Sequence, residues 1–142
     1  MCLNYPPESM ILKSPRAMNK KYRIEINAAT NYLESQSSPE EGRYVFVYTI
    51  TIHNSGEEAA RLLARHWIIT DAHGKVQEVR GEGVVGEKPR LAPGEFFRYT
   101  SAAMIGTAVG TMHGEYRMVA DDGEYFDAPI PAFTLSIPRT LH

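Results

Sequence analysis

VRGEGVVGEKPRLAPGE, residues 79–95, decides between two architectures. It contains GEGVVG, which fits the Gly-x-Gly-x-x-Gly pattern of dinucleotide-binding turns. Such a turn works by leading from a strand into a helix, whose free N-terminal N–H groups and dipole hold a pyrophosphate. KVQEVR, 75–80, supplies a plausible strand before Gly81, but no helix can follow. Pro89 and Pro93 come soon after Gly86, and a helix interior does not tolerate proline. No acidic residue stands about 20 positions on to take a ribose hydroxyl, and no Gly-Lys-Ser/Thr follows to make a Walker loop. The stretch therefore reads as a glycine-rich corner of a β-sheet protein. There Gly81, Gly83 and Gly86 are expected to supply positive φ angles and a bulge where the chain changes sheets. One ligand role stays open, because consecutive N–H groups in a glycine turn can form an anion nest without a helix. Arg80, Lys88 and Arg90 flank that candidate loop, and Glu78, Glu82 and Glu87 cancel their charge.

The rest of the chain agrees with the sheet reading, since its apolar period is two. YRIEINAAT (22–30) alternates, and RYVFVYTITIHN (43–54) puts Tyr44, Phe46, Tyr48, Ile50 and Ile52 on one face, as a central strand would. Strands are also expected at 61–70, 75–80, 96–101, 111–121, 124–130 and 133–137. DAHG, Pro93-Gly94 and Asp122-Gly123 mark turns, the last as a two-residue hairpin. AAMIGTAVG, 102–110, reads as a loop of small residues. Seven or eight strands with regularly spaced turns and no amphipathic helix predict an all-β, antiparallel, immunoglobulin/fibronectin type III-like β-sandwich, with a closed barrel as the alternative.

Composition narrows the function classes. The 142 residues make one domain, 22–142, preceded by a basic extension, 1–21, that is expected to be flexible; Met18 is an alternative start. A net charge of -2 and pI near 6.2 argue against a nucleic-acid partner. The longest apolar run, YVFVY, is far short of the roughly 20 residues a membrane helix needs, so no membrane insertion is expected. The single Cys2 allows no internal disulfide and suits a reducing cytoplasm. No cofactor motif is recognised.

In order along the chain, RHWIITDA, VRGxGVVGE, LAPGE, YTS and IPxF form a series that resembles the ApaG family over residues 22–138. The family's usual IPPF reads IPAF here, with Ala132. The resemblance implies a fibronectin-III-like sandwich. It also implies an association by name with cobalt and magnesium efflux, and with the gene neighbourhood of a diadenosine tetraphosphatase. Related domains in eukaryotic F-box proteins and in a polymerase-interacting protein are taken to bind other proteins. The family offers no catalytic residues to carry over. Its proposed nucleotide motif maps onto Gly81, Gly83 and Gly86.

Other residues suggest weaker chemistry. No Gly-x-Ser-x-Gly elbow or other nucleophile set is visible. His113 and Glu115 alternate on one strand face and are the better metal candidate; His66, Asp71 and His73 form a looser group. The first is a pair, short of the three or four ligands of a tight site, and the second splits between a strand residue, His66, and the turn after it. Trp67 is expected to plug the core. Met104, Ile105 and Val109 form a candidate partner loop if they project outward. The resulting expectation is a non-enzymatic module that binds a protein partner, with an indirect link to divalent-cation homeostasis. The alternatives are a pyrophosphate or nucleotide sensor at 80–90, or a direct divalent-metal binder.

Overall fold

A computed structural model describes residues 20–138; the extension expected at 1–21 falls, through residue 19, outside the described residues. Eight strands follow in order: β1 Ile24–Tyr32, β2 Tyr44–Asn54, β3 Ala60–Asp71, β4 Val76–Glu82, β5 Arg90–Leu91, β6 Phe96–Ile105, β7 Val109–Ala120 and β8 Tyr125–Ser136. They form two antiparallel sheets, β1-β2-β6 and β4-β3-β7-β8, with the short β5 paired to β3. This is the expected immunoglobulin/fibronectin type III-like β-sandwich. The only helical turns among the described residues are single 3-10 turns at Glu34–Gln36 and Pro39–Glu41.

The alternation legible in β2 buries Phe46, Tyr48, Ile50 and Ile52 between the sheets. Asn54 ends that series as a buried polar residue, and its amide is fully used. Its Nδ2 donates to the carbonyls of Glu58 and Leu91, both at 2.9 Å, and its Oδ1 accepts from Gly56 N–H. One side chain thus ties the turn after β2 to β5. From the facing sheet, Trp67 is 2% exposed, as expected of a core plug. Tyr48, Tyr116 and Phe133 approach its ring edge-on, with centroids 5.5, 6.3 and 5.9 Å away. Beside them the Tyr99 and Tyr116 hydroxyls share a buried 2.5 Å hydrogen bond. At the other end, the Tyr22 hydroxyl and then Lys21 bond to Asp122 and hold its carboxyl down at about 2.

Three expectations about turns are corrected. Residues 102–110 are not one loop: β6 runs to Ile105, β7 begins at Val109, and only 106–108 connect the two sheets. Residues 124–130 and 133–137 form the single strand β8, with an irregularity opposite Met112 and Gly114. Pro129 and Pro131 are tolerated there because β8 is an edge strand, where a missing N–H need not break a ladder. The hairpin between β7 and β8 closes three residues, 121–123, between the bonded Ala120 and Glu124, rather than two. Gly123 N–H donates to Ala120 O, Ala120 N–H to Glu124 O, and only Gly123 of the connection has positive φ. A two-residue type I′ turn would need two such residues in succession.

Candidate binding site

The glycine segment leaves β4 and folds back on itself. Val84 and Glu87 exchange backbone hydrogen bonds at 2.8 and 2.9 Å around Val85 and Gly86, whose φ angles are 44° and 82°. Two positive φ values in succession make a type I′ hairpin turn. Gly83, φ 63°, has no room for a side chain, since a Cβ would lie 2.4 Å from Glu87 O. Gly81 departs from expectation. Its φ is not positive; instead the Arg65 guanidinium lies against it, 2.7 Å from where a Cβ would stand. From there Arg65 Nη1 donates to the carbonyls of Glu82 and Gly83, at 3.0 and 2.9 Å. The loop is thus clamped from beneath by an arginine of β3. The N–H groups of Gly83 and Val84 are already given to Leu63 O and Glu87 O.

The flanking cations do not converge on this loop. Arg80 reaches Glu78 at 3.3 Å and Lys88 reaches Glu82 at 3.1 Å. Arg90 turns to the β7–β8 hairpin, where its Nε bonds Asp121 at 3.1 Å. That guanidinium holds the Asp121 carboxyl below its ordinary range.

What the sheet does assemble is a groove of about 440 Å³ on the outer face of β4, β3, β7 and β8. Register explains it. His66 stands between Arg80 on β4 and Glu115 on β7, and Ala64 between Glu82 and Arg117, with Asp127 beyond on β8. Ala64 is short among long charged neighbours, so the floor sinks there. Arg80 and Gly81 of the glycine segment, and Glu115 of the expected metal pair, line this groove; Lys88, Arg90 and His113 do not. No local pattern in the chain pointed to the cross-strand pairings that put His66 here.

The groove's chemistry is ionic and balanced. His66 Nε2 meets Glu78 at 3.4 Å and Nδ1 meets Glu115 at 3.5 Å. The two carboxylates sit on different ring nitrogens, so they do not converge on one point. His113 shares the outward face with Glu115, as the alternation predicted. Asp71, from the looser group, spends Oδ1 on the N–H groups of His73 and Lys75 within its own turn. No group of three or more His, Cys, Asp or Glu placed to hold a metal ion occurs among the described residues. Of the expected partner loop, Met104 and Val109 are 54% and 46% exposed. Ile105 is 2% exposed, which corrects its place in that surface: it is the inward residue of the β6 alternation.

The fold and the groove together define an antiparallel β-sandwich domain of fibronectin type III character. Within that class the chain belongs to the ApaG domain family, whose model matches residues 34–120. Protein ApaG of Azoarcus sp. strain BH72 is 63% identical over 124 residues, covering 87% of this chain and 98% of that one. Protein ApaG of Thiobacillus denitrificans is 60% identical over 126 residues, covering 89% and 99%. A crystal structure of an ApaA protein from Bordetella pertussis superposes with a TM-score of 0.82 at 48% identity, covering 85% of this chain and 98% of that one. No helix among the described residues is long and apolar enough to cross a membrane.

Proposed function

We propose that this ApaG-family chain is a non-enzymatic, cytoplasmic binding module that recognises a protein partner along the edge of β6 that no strand pairs with, and the turn that follows it. The observation that carries this reading is Met104. It is a large apolar side chain more than half exposed on a strand whose second edge pairs with no other strand. Val109 adds a second exposed apolar residue on the far side of the three-residue turn. An unpaired edge offers backbone donors and acceptors to an incoming strand, and flanking apolar side chains supply its specificity. The indirect link to cation homeostasis would then lie with the partner.

The test compares the wild-type chain with Met104→Asp/Val109→Asp in affinity capture from cytoplasmic extract, with matched melting curves as the folding control. Proteins held by the wild type and lost by the folded variant support this surface. Identical capture by both excludes it. A second reading places a small phosphate-bearing or zwitterionic ligand in the outer groove, because Arg80, Gly81, His66 and Arg117 come together there. Amide NMR titration with pyrophosphate, magnesium and cobalt separates the two, with saturable shifts at Arg80, His66 and Arg117 favouring the groove.

A further inference from the structure

β4 is the strand least covered by the rest of the molecule. It closes one end of the larger sheet, pairs only with β3, and none of its residues is buried. The direction of its backbone groups follows from the ladder. Asp71 N–H donates to Lys75 O at one end and Gly83 N–H to Leu63 O at the other. Hydrogen-bonded pairs in an antiparallel ladder recur at every second residue. Gln77, Val79 and Gly81 therefore bond back to Ile69, Trp67 and Arg65. Val76, Glu78, Arg80 and Glu82 turn their N–H and C=O groups to the open edge, where the Glu82 carbonyl already accepts from Arg65.

The sequence of this edge is complementary to itself in one register. When VQEVRGE is laid antiparallel on a second VQEVRGE about a two-fold axis through Val79, all seven residues pair. Glu78 then faces Arg80 of the second copy on both sides of the axis, Val79 faces Val79, and Gln77 faces Gly81. The register also has the right phase, because it opposes Glu78 and Arg80, which both carry outward backbone groups. Moving the axis by one residue sets Glu78 against Glu78 or Arg80 against Arg80. The opposite edge of the same sheet is unsuited to such pairing, since β8 carries Pro129 and Pro131. We infer that the protein self-associates through β4, pairing antiparallel with β4 of a second copy about a two-fold through Val79 to make one continuous sheet. The two Glu–Arg contacts replace the contact that Arg80 makes with Glu78 of its own chain. The β6 edge is not paired in this register, although it lies beside β4, where Gln77 Nε2 donates to the Met104 carbonyl at 3.2 Å.

Sedimentation equilibrium of the full chain tests it, with melting curves to confirm that each variant folds. The wild type should show a concentration-dependent monomer–dimer equilibrium. Glu78→Arg and Arg80→Glu each place like charges across the axis and should weaken it about tenfold or more. The double variant should restore it, and so should an equimolar mixture of the two single variants, whose charges complement one another. An independent arm uses Val79→Cys in a Cys2→Ser background. Non-hydrogen-bonded antiparallel pairs approach to about 4.5 Å between Cα atoms, within disulfide reach, so mild oxidation should give a linked dimer. A wild type that stays monomeric at millimolar concentration overturns the inference. So do single charge variants that dimerise as the wild type does, or a Val79→Cys chain that does not link.

Discussion

Trp67 concentrates the energetics of the core into one side chain. Its ring is fully enclosed, three aromatic rings meet it edge-on, and its indole N–H has no acceptor among the described residues. Trp67→Ala removes the largest buried side chain and leaves a cavity that the two rigid sheets cannot close. The expected cost is about 3–5 kcal/mol, read from urea denaturation. An unchanged midpoint would place the ring outside the core. That Trp67 lies inside was legible from its type and its place in an apolar strand. That its neighbour Arg65 reaches the glycine loop was not. Arg65 shares a side with Trp67 and Ile69 by plain alternation, but its reach depends on the β3–β4 register that sets it opposite Gly81. A register shift between Leu62 and Ala64 also brings the buried Leu62 onto that side. Strict alternation read from the sequence has no means of placing such a shift.

Among the elements, the turn at 83–87 carries the clearest strain. Val85 is the only described non-glycine residue with positive φ, and it is β-branched and exposed. A left-handed conformation costs such a residue about 1–2 kcal/mol, whereas glycine adopts it freely at some cost in unfolded-state entropy. Val85→Gly should therefore raise stability by about 0.5–1 kcal/mol in equilibrium denaturation, since little buried surface is lost. A destabilised variant would show that the Val85 side chain makes a contact the loop depends on. Gly83→Val should act in the opposite direction through its clash with Glu87 O, so lost ligand binding in that variant would not by itself identify a ligand loop. The elements were largely readable from periodicity. The exceptions were places where residue type misleads: the small Ala102 and Ala103, through which β6 continues to Ile105, and prolines that an edge strand absorbs.

At the scale of the whole molecule, the two sheets close over tyrosines whose hydroxyls resist ionisation in place. Burial pushes Tyr48, Tyr99 and Tyr116 above the ordinary phenol range; Tyr99 and Tyr116 also hydrogen-bond each other. Because the folded values are raised, their contribution to stability is fully present below the unfolded value of about 10 and is lost as pH rises beyond it. Urea midpoints should hold level at neutral pH and fall above about pH 10. Absorbance at 295 nm should then show these tyrosines ionising only as the chain unfolds. Free ionisation of every tyrosine in the folded protein would contradict the buried cluster.

Sequence alone determined the all-β class, the central strand β2, the glycine-rich corner and the ApaG resemblance, because alternation and turn chemistry are local properties of a strand. Tertiary structure decided the rest. It brought His66, Arg80, Glu115 and Arg117 into one groove from three strands, sent Lys88 and Arg90 elsewhere, buried Ile105 and left β4 with an unpaired edge. The physical reason is that strand neighbours are chosen by register and sheet order. These depend on how distant segments pack together, and no local pattern encodes them.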